Sequence, residues 1–178
     1  MSRGLFRSAL THANWFIVCV FYAAYLLFQI EPLIGKFILP WFGGSPAVWT
    51  TCVLFFQVLV FAGYTYAHFS LHYFSAKHQA LIHLIFLILA LTTLPITPAA
   101  SSKPVDGSQP ILSILILLIN SVGLPFFVLA STSPLLQAWY VRVYPGHSPY
   151  RLYSLSNIGS FLALLSYPFL FEPFFKLG

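Results

Sequence analysis

Gln29-Ile-Glu-Pro-Leu-Ile-Gly-Lys-Phe-Ile-Leu-Pro-Trp-Phe-Gly-Gly-Ser-Pro-Ala-Val-Trp49 places a carboxylate, prolines and a lysine inside what otherwise reads as a membrane-spanning run. A charge at mid-bilayer costs roughly 2.5–3.5 kcal/mol on insertion scales, so it faces protein or water. Proline removes a backbone donor and clashes one turn back, which predicts a break near Glu31-Pro32. The carbonyl freed four residues upstream then needs a partner from a neighbouring helix or water. The far end of the stretch reads as a tight turn. Gly43 and Gly44 tolerate positive φ. Ser45 suits an N-cap and Pro46 the first helical position. Trp41 and Trp49 mark an aromatic belt at the interface.

Outward from this stretch the chain is apolar throughout. Of its 178 residues 59% are hydrophobic and 6% charged, with a mean hydropathy of +0.86. Soluble domains carry about 25% charged residues, so a soluble protein is excluded. The apolar runs are continuous and of helical length, unlike the ~10-residue alternating segments of outer-membrane barrels. The predicted fold is therefore all-α: one polytopic integral membrane bundle over 1–178. Five spans are expected, over 14–40, 46–74, 79–97, 111–140 and 150–171, the fourth interrupted by Gly123, Pro125 and Pro134, and each is long enough for a ~30 Å core. A loop rich in Ser, Pro, Gly and Asp separates the third from the fourth. Arg3 and Arg7 precede the first run, which is too long for a signal-peptide core and lacks a small-residue cleavage pattern.

Positive charge sets the orientation. With the N-terminus cytoplasmic, that side receives Arg3, Arg7, Lys77, Arg142 and Arg151, and the other receives Lys36, Lys103 and Lys176 with Asp106. The asymmetry favours N-in and C-out. The net charge of +5 is scattered and forms no basic stripe, which argues against nucleic acid as a partner. Lipid headgroups suit these residues better. An internal echo runs through the chain. Pro32-Leu33-Ile34 precedes Ser45-Pro46, and Pro134-Leu135-Leu136 precedes Ser148-Pro149. An offset of three spans inverts one copy relative to the other, as in many transporter folds.

The polar residues admit two readings each. Glu31 and Lys36 form a proton or cation site, or a counter-charge for a polyamine-like substrate. Alternatively they are a structural pair, or snorkel to water. Lys36 lies off the helical face of Glu31, and a kink would bring them together. Gln57, Tyr64 and His68 share one face of the second span. His68 and His72 have the spacing of a two-histidine metal site but lack a third ligand, and His78 and His83 read as interfacial. In the fourth span Asn120, Ser121, Ser131, Thr132, Ser133 and Gln137 compose a polar inner surface, fit for close packing, interhelical hydrogen bonds or a cavity. Arg151, Ser154 and Asn157 share a face of the fifth. Cys19 and Cys52 lie mid-span as small hydrophobes. No metal site, cofactor fingerprint or catalytic constellation is expected.

Gln29-Ile-Glu-Pro-Leu-Ile-Gly-Lys36, Trp49-Thr-Thr-Cys-Val-Leu-Phe-Phe-Gln57 and Gly63-Tyr-Thr-Tyr-Ala-His68 resemble the membrane domain of bacterial spermidine synthase-like membrane proteins, some of them fused major-facilitator/spermidine-synthase chains. Ala130-Ser-Thr-Ser-Pro-Leu-Leu-Gln137, His147-Ser-Pro-Tyr-Arg-Leu-Tyr-Ser-Leu-Ser-Asn157 and Leu164-Leu-Ser-Tyr-Pro-Phe-Leu-Phe-Glu-Pro173 are similar to the same family. The resemblance implies a bacterial inner-membrane bundle followed, in the family, by further helices and a soluble Rossmann-like domain. Those parts do not occur in this sequence, so no catalytic residue carries over. The expectation is a non-catalytic membrane subunit that acts with partner subunits, in a larger membrane complex or with a separate Rossmann-type chain. The alternative is a transporter-like module for a small cationic or polar solute, centred on Glu31 and completed by homo-oligomerisation.

Overall fold

The computed structural model describes residues 3–98, 103 and 110–174. Asp106 and Lys176, which enter the charge asymmetry, lie outside the described residues. Five long helical segments account for most of the rest, and no strand occurs among the described residues. These are α1 (Arg3–Phe42), α2 (Pro46–Tyr73), α3 (Ala76–Thr92), α4 (Pro110–Val143) and α5 (Tyr150–Phe171). All but α3 contain a stretch long and apolar enough to cross a membrane. The molecule is an all-α bundle of membrane-type helices.

Three expectations need correction. The first span does not break at Pro32: α1 runs unbroken through both Pro32 and Pro40. A single missing donor is tolerated where neighbouring helices surround the freed carbonyl. The third span is shorter than 79–97, because α3 stops at Thr92 after 17 residues. There the Thr92 and Thr93 hydroxyls donate to the carbonyls of Leu89 (2.7 Å) and Ala90 (2.8 Å). Leu94, preceding Pro95, is disfavoured from helical geometry. The fourth span is continuous too. It absorbs Gly123 and Pro125 by widening to a π-turn at Ile119–Gly123, and continues through Pro134. A second π-turn, Tyr167–Phe171, absorbs Pro168 in α5.

The turn after α1 forms as the residues dictate. Gly43 takes φ +83°, and Gly44 does not need to. The Ser45 Oγ accepts from the Val48 amide, with Pro46 opening α2. A positive-φ glycine also precedes α5: Gly146 takes φ +86° and the Ser148 hydroxyl accepts from the Tyr150 amide at 3.3 Å, but here the N-cap is Pro149 and no side chain caps the helix. Each is preceded by a helix that carries an internal proline, Pro32 or Pro134. The likeness of the two turns extends to a positive-φ glycine three residues before Pro46 and Pro149 and not to the helix cap.

Helix α4 is the hub. It packs along α2, α1 and α3, while α5 lies along α1. The core joins Ile34 and Ile38 of α1, Cys52, Phe55 and Phe56 of α2, and Ile114, Leu118 and Phe126 of α4. Helices approach most closely at glycines. A Cβ on Gly159 would lie 2.7 Å from the Phe21 carbonyl, and one on Gly63 would lie 2.9 Å from the Ala130 Cβ. Without a hydrophobic drive between helices in lipid, such close approach supplies much of the association.

Candidate functional site

Polar chemistry gathers in three places. The first is a groove between α1 and α2, which barely touch each other. It encloses about 230 Å³ and is lined by Glu31, Gly35, Trp49, Cys52, Val53 and Phe56 among others. Glu31 is half-buried here, and its carboxylate has neither a hydrogen bond nor an ion pair among the described residues. Glu31 and Lys36 do not pair, because without a kink at Pro32 they stay on different faces of α1. Lys36 reaches instead to the carbonyl of Glu172 at 3.2 Å, tying the ends of α1 and α5.

The second is a cavity of about 270 Å³ bounded by α1, α2, α4 and α5. Tyr64, Ser133, Ser156, Asn157 and Ser160 line it together with Phe28 and Ala130. The last two matter because Pro32 and Pro134 stand four residues beyond them. Neither proline has an N–H to offer the carbonyl one turn back. The wall of this cavity therefore carries hydroxyls, an amide and two residues whose carbonyls lack their helical partner. It is a site rich in hydrogen-bond acceptors with no charged residue in its lining.

The third is a network joining α2, α3 and α4. Gln79 is completely buried. Its Nε2 donates to the carbonyls of Phe74 (2.6 Å) and Ser70 (3.2 Å). Its Oε1 accepts from Trp139 Nε1 (2.7 Å) and Arg142 Nη1 (3.2 Å). Arg142 also donates to the Leu71 carbonyl at 3.1 Å. One turn along α3, His83 is buried and its Nε2 lies 3.0 Å from Thr132 Oγ1. His83 is therefore a core residue, which corrects its reading as interfacial. A smaller tie joins α1 to α5, where Gln29 Nε2 donates to the Ala163 carbonyl (2.8 Å) and to Ser166 Oγ (2.9 Å).

The predicted site residues divide. Asn157 stands at the cavity and Glu31 in the groove. Gln137 is buried in α4, as an inner-surface residue should be. Gln57 and Asn120 are exposed on the outside of the bundle, and Arg151 is exposed near the start of α5. Asn120 thus leaves the polar inner surface to which the sequence assigned it. The π-turn that begins at Ile119 shifts the helical register there. His68 and His72 are both exposed, and no group of three His, Cys, Asp or Glu gathers among the described residues. Gln29 and Gln79 escaped the sequence reading. A buried amide leaves no signal beyond its polarity until its partners, 134 and 60 positions away, are known. Comparison with family models, curated proteins and solved structures finds no match to this chain.

Proposed function

We propose that the chain is a non-catalytic integral membrane subunit that works by binding partner subunits. The observation that carries this reading is the outward position of Gln57. It lies about 16 Å from the start of α2, near the middle of a ~30 Å hydrocarbon core. There it is exposed on the same helical face as Val53, a residue of the groove that holds Glu31. An amide and an unpaired carboxylate at that depth are poorly served by lipid and well served by a partner helix that brings hydrogen-bond donors. Asn120, exposed on α4, adds a further amide of the same kind. In this reading the N-terminus is cytoplasmic and the bundle sits in a bacterial inner membrane. The partner is a larger membrane complex or a Rossmann-type chain like the domain that accompanies the resembling family.

A photo-crosslinking residue placed at Gln57 in the native membrane tests it. Position 57 should yield a discrete, reproducible protein adduct, while position 169, on the exposed face of α5, yields lipid adducts. Lipid adducts alone at both positions would refute it.

The cavity of Tyr64, Ser133, Ser156, Asn157 and Ser160 favours a second reading, a transporter-like module for a small polar or cationic solute. That reading requires Glu31→Gln or Asn157→Leu to abolish solute movement in proteoliposomes while expression and melting stay normal.

A further inference from the structure

Between α1, α4 and α5 runs a crevice of about 390 Å³, flanked by the chain that follows α3. Leu26, Ile30 and Leu33 of α1, Leu129 of α4 and Phe171 of α5 supply its apolar wall together with Ile96. Gln29 also lines it, but its amide nitrogen is held by Ala163 and Ser166. Leu26 and Leu94 are 48% and 54% exposed, so the crevice opens on the outer surface of the bundle.

The helices fix its depth. The apolar part of α1, Ala13–Phe42, has its midpoint between Leu27 and Phe28. At about 1.5 Å per residue, Leu26 sits at the membrane midplane, Leu33 about 8 Å and Lys36 about 13 Å from it. Half a hydrocarbon core is ~15 Å. In α4 the apolar stretch Pro110–Val143 has its midpoint beside Phe126, which puts Leu129 close to the midplane as well. Phe171 ends the apolar stretch of α5, and its neighbour Glu172 meets Lys36. The crevice therefore spans one leaflet, from midplane to interface.

Lys36, three residues on from Leu33, continues the same helical stripe to the mouth. Its Nζ donates to the Glu172 carbonyl at 3.2 Å, and Glu172 is itself exposed and carries a carboxylate. The mouth thus sets one cation and one anion at the level of the headgroups. The body of the crevice is too narrow for a partner helix. Roughly 10 Å of helix, about 10 Å across, fills about 800 Å³, twice the crevice. An acyl chain is the slender apolar body that fits. A phosphate suits Lys36, as it suits basic pockets between membrane helices generally. A primary ammonium suits Glu172, because it donates charge-assisted hydrogen bonds to a carboxylate.

We propose that this crevice binds one phosphatidylethanolamine molecule of that leaflet. An acyl chain lies along Leu26, Ile30 and Leu33, the phosphate meets the Lys36 ammonium, and the headgroup amine meets the Glu172 carboxylate. Phosphatidylcholine has no N–H to offer Glu172, and phosphatidylglycerol brings no cation to it. The site is separate from the Glu31 groove, so it does not depend on the partner-binding reading.

The test is native mass spectrometry of the full chain, with any subunits that co-purify, released from nanodiscs. These hold equal amounts of phosphatidylethanolamine, phosphatidylcholine and phosphatidylglycerol with identical acyl chains. The expected result is one retained phosphatidylethanolamine per chain, favoured about fivefold over either competitor, the size of one charge contact near the surface. Glu172→Gln should erase the preference over phosphatidylcholine. Leu33→Trp, which fills the crevice and keeps both charges, should remove the retained lipid. Equal retention of the three lipids would overturn the proposal, and so would phosphatidylethanolamine that persists undiminished in Leu33→Trp. If a variant fails to fold, the headgroup selectivity of the wild type still decides, its absence refuting the proposal.

Discussion

The junction of α2, α3 and α4 and the groove between α1 and α2 treat polar groups in opposite ways. At the junction Gln79 uses both ends of its amide, and Trp139, Arg142, Thr132 and His83 interlock around it. In the groove Glu31 has no partner among the described residues, while Gln57 and Asn120 are exposed. Membrane helices gain only modest energy from each interhelical hydrogen bond, but leaving a polar group unmet in hydrocarbon is costly. Satisfied amides therefore fasten this bundle from within, and in the function proposed above the outward ones are where a partner would fasten to it.

The contrast predicts that stability and association separate by region. Gln79→Leu should have the largest effect on stability. It strands the Trp139 and Arg142 donors and two carbonyls, and should cost about 3 kcal/mol in detergent unfolding. A loss below about 1 kcal/mol would show that the junction is not the fastening argued for it. Gly159→Leu should follow, because its side chain meets the Phe21 backbone where α1 and α5 cross. A destabilisation of about 1–3 kcal/mol is expected, read from the same unfolding curves. Gln29→Leu removes its two hydrogen bonds to Ala163 and Ser166, leaves Tyr25 on Ser166, and should cost about 0.6–1.7 kcal/mol. Glu31→Gln should have the smallest effect on the isolated chain, within about 0.5 kcal/mol of wild type or slightly stabilising. The same change should sharply reduce co-purification of partners. A large loss of stability from Glu31→Gln would make Glu31 a fastener and erase the contrast.

The sequence shows this division only in part. Its continuous apolar runs announce an all-helical membrane bundle, and Gly43-Gly44-Ser45-Pro46 announces the turn and cap that form. Proline misleads, because its local effect on one hydrogen bond is certain while its effect on the helix depends on neighbours. Pro32, Pro40 and Pro134 all sit inside unbroken helices. Glu31 and Asn157 stand out in sequence by being polar among apolar residues, and both line openings in the bundle. Whether a polar residue faces inward is harder to read. Periodicity in a helix wrapped by apolar residues on every side is weak, and a π-turn moves the register beneath Asn120. Gln79 illustrates the rest: its importance lies in Trp139 and Arg142, which only the folded chain brings to it.

The central claim is that the outward polar face is an interface. The most direct test is the native mass and composition of the particle extracted gently from its own membrane. The account predicts a reproducible assembly in which this chain co-purifies with different subunits, and from which Glu31→Gln dissociates without unfolding. A particle containing this chain alone, as monomer or homo-oligomer, would contradict it.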